Sequence, residues 1–292
     1  MQDRPLVSIG MPVYNPDSFF RASVLSLINQ DLKSWELLII DDGSQNDIDK
    51  WIGDFHDPRI IIIKGDVNLG LAKRLNECID LAQGIYFARM DADDISYPSR
   101  LSKQLAFLEK HPDIDLVATR ALAIDDKDRV IGALPYELGH DALLSKPWRG
   151  ICMPHPTWMG RIEWFKKHKY QIPSSYLSED QELLLRASRE SCYTTIDEIL
   201  FAYRIRSYVD SRKLSKTRLA ILNFQVQYFL MHKEHSKILM SLAAYILKKF
   251  ADIFLSRGGG LGHLRYAQAS DLELNQWLLC RKQLSSLSSV LP

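Results

Sequence analysis

The sequence predicts an α/β fold in which helices cover both faces of a parallel sheet. Near-continuous apolar runs, as in Leu6–Met11 and Glu36–Asp41, alternate with segments whose apolar residues recur at helical spacing. Strands have this composition when both faces of the sheet are buried. A polar cluster follows the first, second and fourth strands, and in such sheets ligands bind beyond these strand ends. The clusters are Pro12-Val13-Tyr14-Asn15, Asp41-Asp42-Gly43-Ser44 and Asp91-Ala92-Asp93-Asp94.

The predicted elements alternate regularly through the first part of the chain. Strands are predicted at Leu6–Met11, Glu36–Asp41, Arg59–Lys64 and Ile85–Met90, and helices at Ser18–Ile28, Ile48–Phe55, Leu71–Ala82 and Ser99–Lys110. The polar turn Asp125–Asp128 lies between the apolar segments Leu116–Ala123 and Val130–Leu134, which predicts a hairpin. A further helix is expected to begin near Glu179, and the short segment Tyr193–Ile196 follows it.

From about Ser211 the pattern is helical and basic. Residues 1–199 carry 23 Lys and Arg against 31 Asp and Glu, a net −8, whereas residues 200–292 carry 14 against 5, a net +9. Lys248, Lys249 and Asp252 interrupt the apolar spacing of Lys237–Leu255, which favours an amphipathic helix over a membrane span. Association with an anionic membrane surface, docking on the acidic domain and dimerisation all remain open for this region. Gly258–Gly260 predicts a flexible joint before a last helical stretch through Trp277.

Composition indicates a globular protein of the cytoplasm. Of 292 residues, 46% are hydrophobic and 25% are charged, which argues against disorder. No basic segment followed by an apolar run opens the sequence, so a secretory signal is not expected. The four cysteines are scattered without a CxxC motif, which predicts reduced thiols and no structural metal site.

The carboxylates of Asp91–Asp94 suggest a hard divalent cation. Three carboxylates within four residues repel one another unless they are solvated or a cation lies among them. Mg²⁺ and Mn²⁺ prefer oxygen ligands and often combine one or two protein carboxylates with substrate phosphates. An acidic surface turn explains the cluster equally well when it is considered alone. Its place after a strand, together with Asp41 and Asp42, favours the binding site.

Four segments, in order and at the expected spacing, resemble the signatures of family 2 glycosyltransferases. They are Val7–Asn15, Glu36–Ser44, Asn68–Asn76 and Met90–Asp94. The resemblance covers about residues 5–207 and implies the GT-A fold, a Rossmann-like mixed sheet flanked by helices. It implies a catalytic domain over 1–210, with nucleotide-sugar binding in 1–115 and acceptor binding in 116–210, and a helical extension over 211–292. Processive members carry Gln-x-x-Arg-Trp, whereas Arg206 is followed here by Ser207, so a single, non-processive transfer is expected.

The resemblance also implies roles for the matching positions. The donor is expected to be a nucleotide-sugar, a UDP-sugar by preference, with Asp42 at the base and Mn²⁺ or Mg²⁺ as the cofactor. The nucleotide-sugar residues would be Pro12, Tyr14, Asn15, Asp42, Lys73, Arg74, Asp91, Ala92 and Asp93. The metal ligands would be Asp93, Asp91 and Asp94. His155 and Arg204 would lie near the acceptor or the phosphates, although a structural histidine and a strand-end ion pair are equally good explanations.

Inverting transfer needs a carboxylate that takes the proton of the acceptor hydroxyl. Ser178-Glu179-Asp180 resembles the family's acidic motif at a helix start, which would make Asp180 the base and Glu179 its neighbour at the acceptor. Acidic residues after a serine are also good helix-capping chemistry, and both roles are compatible. The acceptor is expected to be a glycan or lipid-linked sugar of a bacterial-type surface polysaccharide, on the inner face of the cell membrane.

Two other functions fit the sequence less well. A sugar-nucleotidyltransferase would need a glycine-rich basic loop after the first strand, where this chain has Pro12–Pro16. A non-catalytic nucleotide-sugar-binding protein would be expected to lack Asp93 or Asp180, and both are present. A GxGxxG motif of dinucleotide oxidoreductases is not found after a strand. No nucleic-acid partner is expected, and the oligomeric state remains open.

Overall fold

The computed structural model describes residues 4–53, 55–174, 178–206, 211–257 and 266–290. The strands are β1 Val7–Val13, β2 Trp35–Asp41, β3 Ile60–Lys64, β4 Tyr86–Arg89, β5 Ile95–Ser96, β6 Leu116–Ile124, β7 Val130–Ala133, β8 Met159–Arg161 and β9 Tyr193–Arg204. The helices are α1 Ser18–Ile28, α2 Asp49–Ile52, α3 Leu71–Leu81, α4 Arg100–Lys110, α5 His140–Leu143, α6 Ile162–Lys167, α7 Glu179–Ala187, α8 Ser211–Met231, α9 His235–Arg257 and α10 Asp271–Val290.

The strands form one mixed sheet in the order β3-β2-β1-β4-β8-β6-β9-β5, with β7 beside β6. The first four in this order are parallel, as the sequence predicts, and Val13 lies opposite Asp41 at the carboxyl ends of β1 and β2. Strand β8 runs antiparallel to both β4 and β6, and this reversal makes the sheet mixed. The α/β prediction with a mixed, helix-flanked sheet is therefore confirmed.

Strands β1 and β2 are buried along their whole length because helices cover both faces of the sheet. Ile9 and Met11 share one core with Val24 of α1 and Leu105 of α4. Leu38, Ile40 and Phe87 share the opposite core with α3. Gly10 lets β1 approach its neighbours closely, since an added Cβ would lie 2.4 Å from Cζ of Phe87. This packing fixes the edge at which the polar clusters of β1, β2 and β4 meet.

The carboxyl-terminal helices pack on the rest of the molecule. Phe229 of α8 is buried in the core that contains α7, and Trp277 of α10 stacks on Tyr97 with ring centroids 6.2 Å apart. Helix α9 lies against α8 and the turn Pro147–Arg149. No helix within the described ranges combines the length and apolar character needed to span a bilayer. The predicted domain boundary at 210 and the joint at Gly258–Gly260 lie outside the described residues.

Several elements differ from their expected bounds: β1 continues through Pro12 to Val13, and α2 covers only Asp49–Ile52. The short segment Tyr193–Ile196 is the start of β9, which continues to Arg204. The last helical stretch continues past Trp277 to Val290. Helix α7 begins at Glu179, as the sequence predicts.

Candidate active site

The loops after β1 and β2 are joined by hydrogen bonds. The backbone N–H of Asn15 donates to Oγ of Ser44 at 2.8 Å, and Oδ1 of Asn15 accepts the N–H of Gln45 at 2.9 Å. Asn15 has a φ of 48°, a conformation that asparagine tolerates better than most residues. Pro12 is buried within β1, whereas the ring of Tyr14 is 49% exposed. The loop therefore presents Tyr14 as a flat apolar surface beside a rigid polar turn.

Asp42 is buried, and its carboxylate is occupied by protein donors. It accepts the N–H of Leu69 at 2.7 Å, the N–H of Gly70 at 2.9 Å and Nε of Arg74 at 2.7 Å. Arg74 in turn donates to the Val67 carbonyl and pairs with the carboxylate of Glu77, one turn along α3. This network ties the end of β2 to the start of α3.

The two basic residues predicted near the diphosphate differ in exposure, because only Arg74 takes part in this network. Arg74 is buried and bonded to protein groups, whereas Lys73 beside it is exposed on α3. Lys73 is therefore the more accessible of the two cations. The assignment of Asp42 to the base and of Arg74 to phosphate stays a prediction, and their geometry favours a structural role for both.

The carboxylates of Asp91 and Asp93 are each paired with an arginine at the end of β4. Asp91 lies 2.5 Å from Nη1 of Arg89, and Asp93 lies 2.9 Å from Nη2 of Arg206. Oγ of Ser23 in α1 donates to the Asp91 carbonyl at 2.9 Å, which holds the turn in place. Both carboxylates stay 30% exposed. Burial and the nearby Asp91 raise the pKa of Asp93, and Arg206 opposes that shift.

Asp94 and Arg204 connect this turn to β9. Oδ1 of Asp94 accepts the backbone N–H of Arg204 at 2.7 Å, and Nε of Arg204 donates to the Asp93 carbonyl at 2.8 Å. Arg204 also pairs with Asp128 at 2.8 Å and lies over the ring of Phe19. Both side chains are buried, and burial beside Asp91 and Asp93 raises the pKa of Asp94. The contacts of Asp94 and Arg204 hold the loop, and the second carboxylate oxygen of Asp94 is buried without a hydrogen-bond partner among the described residues.

The donor set fits a cation held by two carboxylates together with ligand oxygens. Within the described ranges, no group of three or more His, Cys, Asp or Glu side chains has the arrangement of a metal site. Asp91 and Asp93 are partly exposed and lie two positions apart in the turn after β4, and Ala92 between them packs against the core. Mg²⁺ and Mn²⁺ commonly take only one or two protein carboxylates when phosphate oxygens complete the shell. The residues present therefore fit such an ion, and the assignment of Asp94 as a third ligand stays a prediction.

A cavity of about 480 Å³ lies next to Asp91. Its polar lining brings together Arg89 and Asp91 from the end of β4 and Glu179 and Asp180 from the start of α7. Its apolar wall includes Leu71, Leu134, Ile151, Met153 and Tyr203. Residues that lie far apart in the sequence thus face one space, which has the size of a small-ligand pocket.

The two carboxylates at the start of α7 differ in environment. Glu179 is buried, and burial together with the neighbouring charge of Asp180 raises its pKa to about 7. Burial also raises the pKa of Asp180, while hydrogen bonds from Gln181 oppose that shift. The buried guanidinium of Arg89 favours the ionised form of both carboxylates. Burial therefore raises the pKa of both carboxylates, the direction that suits a proton acceptor at neutral pH.

His155 is held in the wall of the cavity. Its Nε2 lies 2.6 Å from the hydroxyl of Tyr170, and its Nδ1 lies 4.0 Å from Glu179. The side chain of Asn76 fixes Tyr170 by hydrogen bonds to both its backbone N–H and its carbonyl. Burial and the positive charge of Arg89 lower the pKa of His155 well below its ordinary value, so the imidazole is neutral. A neutral histidine can position Glu179 or meet an acceptor hydroxyl, but it carries no charge for phosphate.

The sequence alone did not identify three residues that shape the site. Arg89 lines the cavity and is only 1% exposed. The sequence did carry a signal for it, because a basic residue within a predicted buried strand, two positions before the carboxylate cluster, is unusual. Arg206 comes two positions after Arg204, the last residue of β9, a spacing that places two side chains on one side of an extended chain. Gln181 bonds the N–H and carbonyl of Ile151 at 2.8 and 3.1 Å, and only the fold brings these two segments together.

Comparison with known proteins gives consistent matches. The profile of the family described as Glycosyl transferase family 2 matches residues 8–169. An uncharacterised glycosyltransferase of Methanocaldococcus jannaschii is 32% identical over 209 residues, which are 70% of this chain and 72% of that protein. The O-antigen biosynthesis glycosyltransferase WbnJ of Escherichia coli is 28% identical over 208 residues, 69% of this chain and 80% of WbnJ.

Solved structures share the fold at low sequence identity. S. aureus TarS 1-349 in complex with UDP-GlcNAc superposes with a TM-score of 0.63 at 18% identity, covering 95% of this chain and 80% of that one. In another TarS crystal structure the match spans only 39% of the TarS chain. The mannosyltransferase PcManGT of Pyrobaculum calidifontis, in complex with GDP-Man and Mn²⁺, gives a TM-score of 0.57 at 15% identity, with 99% and 84% of the two chains covered.

Proposed function

The chain belongs to glycosyltransferase family 2, and from this premise we propose that it transfers one sugar from a nucleotide-diphosphate sugar to an acceptor hydroxyl, with inversion at the anomeric carbon. It is a glycosyltransferase of the GT-A fold that uses a nucleotide-sugar donor. The stereochemistry, the metal, the acceptor class and the role of each residue are parts of the proposal.

The observation that carries the proposal is the shared cavity of Asp91 and Asp180. Asp91 lies at the carboxyl end of a parallel strand, where donors bind in α/β sheets. Asp180 lines the same space from the start of α7, where a second substrate would bind. A transferase that acts on two substrates needs such an arrangement, because the acceptor oxygen must approach the sugar from the side opposite its leaving group.

The proposed chemistry is a single displacement. The acceptor oxygen attacks the anomeric carbon, the bond from that carbon to the diphosphate oxygen breaks, and the nucleoside diphosphate leaves with the electron pair. Asp180 takes the hydroxyl proton as the new bond forms. Gln181 holds the adjoining loop through Ile151, and the positive charge of Arg89 favours the ionised form of Asp180.

A divalent ion would be held by Asp91 and Asp93 together with the donor's phosphate oxygens. Bound there, Mn²⁺ or Mg²⁺ would neutralise negative charge on the departing diphosphate. Asp94 and Arg204 would keep the turn in position, since each bonds the backbone of the other's segment. Tyr14 would stack on the base, because its ring is exposed at the edge formed by β1 and β2.

The donor and acceptor are proposed by class. A UDP-sugar is preferred, and the ligands named for the structural neighbours are UDP-GlcNAc and GDP-Man. A glycan or lipid-linked sugar on the cytoplasmic side of the cell membrane is the proposed acceptor class, and the similarity to an O-antigen glycosyltransferase supports it. Asp180, Glu179 and His155 all contact or line the cavity in which that acceptor would bind.

The test is a screen of UDP-, GDP- and dTDP-sugars for Mn²⁺-dependent release of nucleoside diphosphate. The wild type is expected to release it from one donor, and Asp180→Asn is expected to reduce the rate by about 100-fold to 10,000-fold, the usual contribution of a general base. Asp113→Asn is the matched control, since Asp113 is exposed outside the cavity lining and should leave the rate unchanged.

Three outcomes would contradict the proposal. Full activity of Asp180→Asn would exclude Asp180 as the base. Donor binding without turnover, in the presence of acceptor extracts, would favour a non-catalytic binding protein. Formation of a nucleotide-sugar from a sugar phosphate and a nucleoside triphosphate would favour a nucleotidyltransferase.

A further inference from the structure

One face of α9 presents large apolar side chains to solvent. Leu239, Leu247 and Phe250 are 70%, 68% and 67% exposed. The same face includes Met240, Leu242 and Ile246. These six positions fall within one broad stripe at 100° per residue. We call them the apolar face of α9.

The opposite side of α9 is occupied by contacts with the protein. Ser241 is 1% exposed, and Nζ of Lys248 donates to the Arg149 carbonyl at 2.7 Å. Asp252 pairs with Arg218 of α8 at 2.5 Å. The helix is therefore anchored through its polar side, and its apolar side is turned outward. This is the reverse of the usual orientation of a surface helix.

Positive charge lies towards both ends of the apolar face. Residues 211–257 carry nine Lys and Arg against two Asp and Glu, a net +7. Lys233 and Lys249 are exposed towards the two ends of α9. The first turns of α8 expose further cations at Arg212, Lys213 and Lys216, and the pair of Arg218 with Asp252 brings this end of α8 beside the end of α9.

We propose that the apolar face of α9 docks on an anionic lipid bilayer. Apolar side chains of an amphipathic helix enter the boundary between headgroups and acyl chains, while neighbouring cations meet anionic headgroups. A second copy of this chain is the less favourable occupant. Its corresponding face carries the same positive charge, so the two surfaces would repel one another.

The position of α9 links this surface to the cavity. Helix α9 packs on the turn Pro147–Arg149, and the chain then continues through Ile151 to His155, which line the cavity. A bilayer that holds the apolar face would lie on the side of α9 opposite this turn, and the helix and the turn would connect it to the loop that lines the cavity proposed for the acceptor. That consequence rests on the proposed function, whereas lipid binding itself does not.

The test is co-sedimentation of the full chain with vesicles of phosphatidylcholine, with and without phosphatidylglycerol. We expect binding to the anionic vesicles that weakens as salt is added. The triple variant Leu239→Ser, Leu247→Ser, Phe250→Ser should bind them about 100-fold more weakly, because three side chains no longer insert. The control Leu272→Ser, Leu278→Ser, Leu279→Ser changes equally exposed leucines of α10 and should bind like the wild type.

Other outcomes would overturn the inference. Equal binding of the two triple variants, or no binding of the wild type to anionic vesicles, would remove α9 as the docking surface. A dimer in light scattering that only the α9 variant dissociates would assign the face to a second copy. Sugar transfer to a soluble acceptor should be unchanged in the α9 variant. Lipid binding without any sugar transfer would count against the proposed function alone.

Discussion

The substitution Asp42→Asn distinguishes a structural role of Asp42 from base recognition. The carboxylate accepts two backbone N–H groups and Nε of Arg74, all between 2.7 and 2.9 Å. An amide can keep its oxygen towards Leu69 and Arg74, but its NH₂ group then faces the N–H of Gly70. The change leaves one buried donor unsatisfied, which costs about 1–3 kcal/mol, and weakens a charge-assisted bond by about 1 kcal/mol.

The expected sum is a loss of about 3 kcal/mol in the free energy of unfolding, a large part of the stability of an ordinary protein. Urea denaturation followed by circular dichroism measures it, with Asp66→Asn as the control, because Asp66 is exposed near the same loop. UDP binding by calorimetry should be measured at a temperature where both variants are folded. A variant as stable as the wild type that no longer binds UDP would refute the structural reasoning and support base recognition.

Three further predictions concern α7, its neighbouring loop and α10. Because the pKa of Glu179 is raised from 4.5 to about 7, the folded protein keeps this proton where the unfolded chain has lost it, so its contribution to stability falls as pH rises through this range. Urea titrations should show the free energy of unfolding of Glu179→Gln rising by on the order of 3 kcal/mol relative to that of the wild type as the pH is raised from 4.5 to about 7. A difference in stability that stays constant over this range would contradict the raised pKa. Gln181→Ala removes both hydrogen bonds to Ile151 and should lower the free energy of unfolding by about 1–2 kcal/mol. It should also raise KM for the acceptor more than KM for the donor. An unchanged KM for the acceptor would show that the loop does not depend on these two hydrogen bonds. Trp277→Ala should lower the free energy of unfolding by about 3–5 kcal/mol, because Trp277 is buried and donates to the Asp128 carbonyl. We expect one unfolding transition, and a separate transition of low stability would indicate that α10 unfolds independently.

Much of the fold could be predicted because its signals are local. The strands β1, β2 and β4 stand out as apolar runs, and a parallel arrangement follows from the helices between them. The clusters at Asp91 and Asp180 could be identified as site candidates because acidic residues directly follow a strand or begin a helix. The metal, base and nucleotide assignments of individual residues remain predictions that the described geometry does not test.

Other features could not be predicted because they depend on contacts between distant segments. Asp94 resembles Asp91 and Asp93 in sequence, but its carboxylate bonds the backbone of Arg204, which is 110 positions away. Asp42 and Arg74 each look available for a ligand, and they are instead bonded to one another. Helix periodicity identified α9 as amphipathic, but it could not tell which face meets the protein.

The sequence by itself determined the α/β class, the alternation of strands and helices in the parallel part, and the family. It could do so because apolar periodicity and short motifs are properties of neighbouring residues. The tertiary structure alone decided which carboxylates stay open to a ligand. It joined Asp91 and Asp180 in one cavity, turned Asp94 inward and left the apolar face of α9 exposed. The physical reason is that burial, hydrogen-bond partners and pKa depend on which distant groups surround a side chain, and the fold sets those neighbours.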